Sequence, residues 1–256
     1  EEVIKEVIAL EEKGYKEIVL SGINIGTYQD DTIDLTELLE MLLKNTSIAR
    51  FRLSSIEPNL ITDKMIKLMK NHKRLCNYFH IPLQHGSDRI LNLMNRKYNL
   101  DEFETVVNRI RKEMPHISIG ADAIVGFPGE TEDDFLNMTQ FIEKMEFSYL
   151  HIFRYSRREG TKAAKMKNQV PDILKKRRAA VLRNLGDQLK SNYIEKFLDR
   201  KLDVLFEQEI KENFWGGNSC NFIYVKVKNI KNLNNQVKKV KITNVFKSHA
   251  EGVVIE

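Results

Sequence analysis

The fold class follows from the stretch Asp122-Ala123-Ile124-Val125-Gly126-Phe127-Pro128-Gly129-Glu130-Thr131. Its apolar first half predicts a buried strand, and the Gly-Phe-Pro-Gly turn ends that strand, because glycine permits unusual backbone angles and proline fixes one. Thr131 is a predicted N-cap, and the carboxylates at 132–134 complement the positive end of a helix dipole. A strand that turns directly into a helix is typical of α/β folds, which bind ligands at such corners.

Strand and helix patterns alternate on both sides of this stretch. The predicted strands are 17–22, 49–53, 78–82, 118–125 and 149–153, and the predicted helices are 2–13, 35–44, 62–71, 88–94, 101–114 and 131–145. Repeated βα units indicate a parallel sheet that curls in one direction. Because the chain opens in a helix, we expect a sixth strand upstream and predict a partial (β/α)6 barrel of the TIM type.

The pattern changes towards the C-terminus. A long basic helix is predicted over 171–197, and strands are predicted at 202–206, 222–227 and 237–243. We therefore expect two domains, an α/β barrel over 1–199 that lacks its first strand and a small all-β barrel over 200–256.

The composition is that of a soluble globular protein, with 42% hydrophobic and 30% charged residues among 256. No run is long enough to span a membrane, and no apolar leader is visible. Cys76 and Cys220 are too few for a disulfide framework, which predicts a reducing, cytoplasmic location. Since the chain begins at Glu1 inside a predicted helix, we expect it to be a fragment of a longer protein.

The charge is divided unevenly along the chain. Residues 1–156 carry 19 basic and 25 acidic residues, a net charge of −6, whereas residues 157–256 carry 22 and 11, a net charge of +11. The basic half predicts a polyanionic partner, although a solvated lysine-rich helix face would have the same composition.

Polar groups follow every predicted strand, at the edge where a parallel barrel binds its ligand. The candidate binding residues are glycines, hydroxyls, amides, carboxylates and two aromatic residues, namely Gly22, Asn24, Ser54, Ser55, Glu57, Gln84, Asp122, Gly126, Phe153 and Tyr155. They include no nucleophile–base pair, and no metal-binding spacing surrounds the nearby histidines. The set predicts a pocket for a polar small molecule with an adenosine-like part.

Each of these residues also has a purely structural interpretation. Ser54, Ser55 and Thr131 would equally serve as caps, and Phe153 and Tyr155 as core. His80 and His85 would be packed or exposed side chains, and Cys76 a small buried hydrophobe. The segments that follow the five predicted strands are called corners here. All five carry polar groups or glycines, and this agreement favours a binding site.

The corners resemble those of the radical S-adenosylmethionine (SAM) methylthiotransferases. The runs that carry the resemblance cover nearly the whole chain in the right order and are 22–28, 52–58, 80–84, 94–98, 122–131 and 155–164. The forms Gly-Ile-Asn-Ile-Gly and Arg-Leu-Ser-Ser-Ile-Glu-Pro are most similar to the branch that acts on threonylcarbamoyladenosine in tRNA. His85 stands where the tRNA branches usually carry serine.

The resemblance implies a radical-SAM barrel and addition of a methylthio group to an unactivated adenine carbon beside the anticodon. It implies SAM as cofactor, two 4Fe–4S clusters, and flavodoxin or ferredoxin as electron donor. The cluster cysteines would lie upstream of Glu1, so the fragment itself is expected to hold no metal and to be inactive. Related branches modify isopentenyladenosine in tRNA or an aspartate of a ribosomal protein.

The resemblance also distributes roles among the candidate residues. Gly22, Asn24, Ser54, Ser55 and Glu57 would bind the methionine and ribose parts of SAM. Gly126 and the backbone from Phe153 to Tyr155 would bind adenine, with Gln84 and Asp122 nearer the reacting centre.

The C-terminal part resembles a TRAM domain, a small RNA-binding β-barrel, and this implies tRNA as partner. Aromatic rings that stack on bases and cations that meet phosphates are expected at Arg157, Arg158, Trp215, Phe222, Tyr224, Lys226 and Lys228. Core packing of Phe222, with lysines protecting strand edges, is the alternative.

Two other classes of function remain open from the residues alone. A lyase or aldolase barrel would need a Schiff-base lysine or a metal set at the strand ends, and no lysine lies in these corners. A non-catalytic RNA-binding module would explain the basic half but not five polar corners.

Overall fold

The computed structural model describes residues 1–255, which form an α/β part with parallel strands followed by a small closed β-barrel. In chain order the α/β part contains α1 (Glu2–Glu12), β1 (Glu17–Leu20), β2 (Gln29–Asp30), β3 (Ile33–Asp34), α2 (Leu35–Asn45), β4 (Arg50–Leu53), α3 (Asp63–Asn71), β5 (Tyr78–His80), α4 (Asp88–Leu93), α5 (Leu100–Glu113), β6 (Ser118–Val125), α6 (Glu132–Met145), β7 (Tyr149–Arg154), α7 (Lys162–Lys165) and α8 (Asp172–Glu195). The second part contains β8 (Lys201–Lys211), β9 (Phe214–Ser219), β10 (Tyr224–Lys228), β11 (Gln236–Val245) and β12 (Ala250–Val254).

Five strands run parallel in the order β1-β4-β5-β6-β7. β1 pairs with β4, and β5, β6 and β7 pair in sequence. Single parallel bridges join β4 to β5, at Phe51 with Leu75 and at Ser55 with His80. The predicted partial α/β barrel is therefore confirmed for these five strands. The sixth strand would precede Glu1 and stays a prediction.

The alternation of side chains along β6 shows which way the parallel sheet faces. Ile119, Ala121, Ala123 and Val125 are almost fully buried and belong to the main core, which also contains residues of the surrounding helices. Asp122 and Ile124 are half-buried and lie on the opposite, inner face. Since strands of a parallel barrel share this alternation, polar residues two apart on neighbouring strands meet inside the barrel.

Helix caps confirm the predicted boundaries. Thr131 caps α6 by accepting a hydrogen bond from the backbone N–H of Asp134, and the Asp134 carboxylate accepts one from the N–H of Thr131. Asp34 and Glu37 form the same reciprocal pair at α2. The structural interpretation of Thr131 as a cap is therefore correct.

The second β-structure is a closed barrel in the order β10-β12-β11-β8-β9, in which only β10 and β12 run parallel. The predicted strands correspond to β8, β10 and β11, but β9 and β12 were missed. Two glycines in β9, Gly216 and Gly217, interrupt its apolar pattern and lie close to neighbouring strands. Strand β10 begins at Tyr224, two residues after the predicted start of this strand at Phe222. Phe222 has a φ of 62° and forms a turn.

Among residues 1–255, no helix combines the length and apolarity needed to cross a bilayer.

Candidate active site

The predicted corners meet along one continuous rim at the C-terminal ends of the parallel strands. The backbone hydrogen bonds that join neighbouring corners are Ser54 N to Leu20 O (2.9 Å), Ile56 N to His80 O (3.0 Å), Gln84 N to Asp122 O (2.8 Å) and Tyr155 N to Val125 O (2.8 Å). Pairing of the loops beyond the strand ends fixes the spacing between corners, which sequence spacing alone does not determine.

The first two corners offer polar groups on one side of the rim. Gly22 is exposed, and half-buried Asn24 precedes a short 3-10 helix over Ile25–Thr27. The hydroxyl of Ser54 is buried and has no hydrogen-bond partner, whereas half-buried Ser55 bridges to β5 through its backbone. The carboxylate of Glu57 lies 3.4 Å from Nη1 of Arg96. An unpartnered buried hydroxyl is costly, so Ser54 is suited to a bound ligand.

Gln84 occupies the centre of the rim in a strained conformation. Its φ is 64°, a left-handed value that side chains other than glycine rarely adopt. Its N–H donates to Asp122 O, and its carbonyl accepts from Ile124 N at 2.8 Å. The tertiary pairing with β6 holds the strained residue in place, and such strain is concentrated at functional sites.

The Gly-Phe-Pro-Gly turn that follows β6 is held in place by Glu130. Its carboxylate accepts hydrogen bonds from the N–H groups of Gly126 (2.6 Å) and Phe127 (3.2 Å) and from Arg178 on α8 (2.6 Å). Gly126 has a φ of 76°, and a Cβ there would clash with the side chain of Lys175. Buried Glu130 therefore fixes the turn and α8 together, which is a structural role rather than acid catalysis.

A cavity of about 690 Å³ opens beside this turn. Its wall includes Phe153, Tyr155, Phe127, Arg96 and Arg158. Phe153 is 51% exposed, so the alternative that it is core is wrong. The hydroxyl of Tyr155 is buried without a partner, and its ring packs edge-on against Phe127, with centroids 5.4 Å apart. Aromatic walls with a few polar groups are typical of sites for small organic ligands.

The structure thus brings the candidate residues to one rim but not into one cavity. Of the ten predicted binding residues, Phe153 and Tyr155 line the cavity described above. Asp122 lies deeper in the barrel, beside His80 and His151. Burial and the nearby His80 lower the pKa of His151, which favours its neutral form.

The lower end of the parallel sheet carries a polar cluster that sequence reasoning missed. Arg50 and Arg52, both buried, form ion pairs with Glu17. Arg50 donates to the carbonyl of Asn218 at 2.9 Å, and Arg52 donates to that of Ser219 at 3.1 Å. Because side chains alternate along β4, both arginines point away from the helices and towards the small barrel. This contact depends on how the two parts pack, so the sequence alone did not predict it.

The two cysteines meet in this cluster. The Sγ of Cys220 lies 3.8 Å from Nη1 of Arg50. A hydrogen bond from the Cys76 thiol lowers the pKa of Cys220 to about 6; burial opposes this effect, and Arg50 and Arg52 reinforce it. The interpretation of Cys76 as a small buried residue is confirmed, since it is 1% exposed, and its thiol also lies 3.9 Å from the Glu17 carboxylate.

Two predicted RNA-binding aromatic residues differ in their exposure. Trp215 is 7% exposed and lies in the core of the small barrel, so its predicted stacking on bases is wrong. Phe222 packs against Tyr78 and Tyr149, with ring centroids 5.0 and 5.3 Å apart, and the Arg52 guanidinium lies over its ring. Phe222 is nevertheless 39% exposed, so the alternative that it is core is wrong, and its predicted stacking on bases stays a prediction.

The other predicted RNA-binding residues keep outward positions. Tyr224, Lys226 and Lys228 alternate along β10 with buried Val225 and Val227 and so share its outer face. Arg157 and Arg158 are exposed beyond β7. Sequence reasoning overlooked Phe246, which is 44% exposed and stacks on His249 at 4.7 Å. Phe246 lies in a polar turn and is followed by a lysine, and this pattern could have predicted an exposed aromatic ring.

A parallel α/β barrel with a polar strand-end rim and an aromatic cavity defines a ligand-binding enzyme barrel. The chain belongs to the Radical SAM superfamily, whose family model matches residues 1–142.

Curated relatives narrow the comparison. The chain is 38% identical over 98% of its length to the threonylcarbamoyladenosine tRNA methylthiotransferase MtaB of Bacillus subtilis, covering 57% of that protein. It is 41% identical over 84% of its length to MtaB of Thermotoga maritima, covering 50% of that protein. It is also 38% identical over 83% of its length to the tRNA-2-methylthio-N(6)-dimethylallyladenosine synthase of Acetivibrio thermocellus, covering 45% of that protein. The chain spans about half the length of these relatives.

Solved structures show the same fold. Coproporphyrinogen III oxidase (HemN) from Escherichia coli, a radical SAM enzyme, matches 79% of this chain and 54% of its own, with a TM-score of 0.54 at 13% identity. The radical SAM methyltransferase TsrM from Kitasatospora setae matches 61% of this chain and 31% of its own, with a TM-score of 0.50 at 15% identity. At these identities the likeness concerns the fold alone.

Proposed function

We propose that the chain is the SAM-binding barrel and RNA-binding domain of a tRNA methylthiotransferase that acts on N6-threonylcarbamoyladenosine next to the anticodon. The observation that carries this proposal is the strand-end rim with its cavity of about 690 Å³, in a chain 38–41% identical to enzymes named for that reaction. The division into domains near residue 199 is supported by the end of α8 at Glu195 and the start of β8 at Lys201.

The residues of the rim fit SAM. Ser54 and Tyr155 each present a buried hydroxyl without a partner, and the aromatic cavity beside Tyr155 has the size and character that an adenosine group requires. Gly22, Asn24, Ser54, Ser55 and Glu57 would hold the methionine and ribose parts. Gly126, Phe153 and Tyr155 would hold adenine, with Gln84 and Asp122 deeper. When bound, SAM supplies methyl transfer and radical chemistry for an inert C–H bond.

The cysteines of the described chain do not fit an iron–sulfur cluster. Cys76 and Cys220 lie at the lower end of the barrel among Arg50, Arg52 and Glu17, away from the rim. A cluster needs several thiolates converging on one site. In this proposal, two 4Fe–4S clusters would be held by cysteines outside this sequence, and flavodoxin or ferredoxin would serve as electron donor for the whole protein.

The basic half supplies the tRNA contact in this proposal. Lys226 and Lys228 on the outer face of β10 would meet phosphates, and Tyr224 beside them would stack on a base. Arg157 and Arg158 follow β7 at the rim, where they would guide the anticodon loop towards the cavity. The small barrel is TRAM-like in this assignment.

The cofactor assignment is tested with Glu57→Ala in the whole protein, by calorimetric measurement of SAM affinity. We expect at least about a tenfold loss, as one charged hydrogen bond contributes ~1.5–3 kcal/mol. Asp63→Ala is the matched control, because this carboxylate is exposed, pairs with Arg109 and is not among the residues proposed for SAM. Unchanged affinity in Glu57→Ala would remove Glu57 from the site.

The related dimethylallyladenosine enzymes are the second candidate, since one of them is also 38% identical to the chain. Nucleoside analysis separates the two, because each reaction adds the methylthio group to a different modified adenosine. A product on dimethylallyladenosine would replace the substrate proposed here, and a tRNA without either product would favour the ribosomal-protein branch or a non-catalytic RNA-binding module.

A further inference from the structure

Three potential metal ligands converge inside the parallel barrel, below the rim. His80 ends β5, Asp122 lies in the middle of β6, and His151 lies in β7 directly opposite Asp122 in the strand register. All three belong to the inner face of neighbouring strands. Their nearest ligand atoms all lie within 4.8 Å of one another. The sequence spacing concealed this cluster, because each strand contributes one residue.

The two distances to the Asp122 carboxylate match those between atoms that share a metal ion. Nε2 of His80 lies 3.0 Å from Oδ1 of Asp122, and Nδ1 of His151 lies 3.5 Å from the same oxygen. Metal–ligand bonds of about 2.0–2.2 Å place neighbouring ligand atoms roughly 3.0–3.5 Å apart in tetrahedral or octahedral geometry. The three atoms therefore need little movement to bind one ion.

The buried nitrogen of His80 has no hydrogen-bond partner. Its side chain is 9% exposed, and Nε2 makes no hydrogen bond although Asp122 Oδ1 is only 3.0 Å away. The distance is short enough for a hydrogen bond, so it is the angle at the ring nitrogen that prevents one. Leaving a buried polar atom unsatisfied is unfavourable, so a ligand between His80 and Asp122 would satisfy both groups.

A neighbouring hydroxyl holds the His80 ring in this orientation. Nδ1 of His80 lies 3.0 Å from the hydroxyl of Tyr149, which is hydrogen-bonded in turn to the hydroxyl of Tyr78. Metal-binding histidines almost always use their second ring nitrogen in this way, which fixes the tautomer and the direction of the free nitrogen.

The cluster is closed on one side and open on the other. His80 is enclosed by the sheet, whereas the side chains of Asp122 and His151 are 20% and 52% exposed towards the barrel interior. Three protein ligands with an open side leave coordination positions for water or substrate, as in catalytic metal sites.

We propose that His80, Asp122 and His151 bind one divalent first-row transition-metal ion, such as Zn²⁺, Fe²⁺ or Co²⁺. Two imidazoles and one carboxylate suit these ions better than Mg²⁺ or Ca²⁺, which select oxygen ligands. The site lies on the inner face of the barrel and shares Asp122 with the residues proposed for SAM, but metal binding there does not require the reaction proposed above. It stands against the sequence-based expectation that the chain holds no metal, and metal titration decides between the two.

Cobalt titration of the tag-free 256-residue chain tests this site, because Co²⁺ bound by nitrogen and oxygen ligands absorbs visible light according to its geometry. We expect one equivalent of Co²⁺ to bind with a new absorption band, and Zn²⁺ to displace it. Asp122→Asn and His151→Ala should each weaken binding at least ~100-fold, since even the outer partners of metal ligands contribute 10–100-fold.

Two controls keep the test decisive. His116→Ala and His249→Ala remove histidines outside the cluster and should bind Co²⁺ like the wild type. Asp122→Asn preserves the side-chain shape, and its thermal unfolding without metal shows whether it folds. Zn²⁺ should then raise the Tm of the wild type but not of Asp122→Asn. Absence of a cobalt band in the wild type, or equal affinity in Asp122→Asn, would overturn the proposal.

Discussion

Phe222 packs on Tyr78, with ring centroids 5.0 Å apart, and this contact joins the turn of the small barrel to the first residue of β5. The same ring lies 5.3 Å from Tyr149 at the start of β7. The small barrel thus covers the lower end of the parallel sheet, and the strand-end rim stays at the opposite end. The two ring contacts of Phe222 therefore join the small barrel to the parallel sheet, beside the hydrogen bonds of Arg50 and Arg52.

Replacing Phe222 by alanine should destabilise the protein, because its ring packs against Tyr78 and Tyr149. Removal of two aromatic contacts is expected to lower the free energy of unfolding by about 1–3 kcal/mol. Chemical denaturation measures this change, and filter binding of tRNA at constant salt measures the affinity. Unchanged stability would contradict the packing role of Phe222, and a large loss of tRNA affinity in the folded variant would show that its exposed part also contacts RNA.

Glu130→Gln should be strongly destabilising because it leaves Arg178 buried with only one anionic partner. The ion pair is 2.6 Å long and both side chains are almost fully buried. Breaking a buried pair typically costs about 3–5 kcal/mol. Glu132→Gln, which removes the exposed partner of Arg178, should cost ~1 kcal/mol or less. Equal losses by urea denaturation would contradict the structural role of Glu130.

The outer face of β10 should carry part of the electrostatic attraction to tRNA. In a Lys226→Ala/Lys228→Ala variant we expect weaker binding and a slope of log affinity against log salt that is reduced by about 1–2. Lys5→Ala, an exposed lysine of α1, is the matched control. A double variant with an unchanged slope would show that phosphates bind elsewhere.

Cys220 should react as a thiolate well below the pH at which free cysteine does. Its pKa is lowered to about 6, so its alkylation by iodoacetamide should be nearly constant above pH 7 and fall as the pH drops through 6. Cys76→Ala should shift the midpoint upwards, because the hydrogen bond from the Cys76 thiol is lost. Mass spectrometry of the modified peptide identifies the site, and a midpoint near 9 in the wild type would contradict this assignment.

The strand–helix alternation was readable from the sequence because local pattern and parallel packing agree. The strand predicted over 118–125 is β6 to the residue, and the cap at Thr131 is as expected. The strands β9 and β12 were not readable, because paired glycines and short length conceal their alternation. Tertiary pairing across the closed barrel determines both strands.

The candidate site could be predicted only in part, because some of its residues come together through contacts between distant elements. Polar residues directly after strands predicted the rim, since parallel strands share one ligand-binding edge. The cluster of His80, Asp122 and His151 and the pair of Cys76 and Cys220 arise where distant elements meet. The places of Trp215 and Phe222 depend on which face of the small barrel is buried, and an aromatic residue suits either face.

In the proposed function, this chain belongs to an enzyme that adds a methylthio group to tRNA. Mass-spectrometric nucleoside analysis of tRNA from a strain that lacks the gene tests it most directly, with complementation by the wild type and by Glu57→Ala. We predict loss of 2-methylthio-N6-threonylcarbamoyladenosine, accumulation of the unmethylthiolated nucleoside, and restoration by the wild type alone. An unchanged content of the methylthiolated nucleoside in the deletion strain would contradict the account.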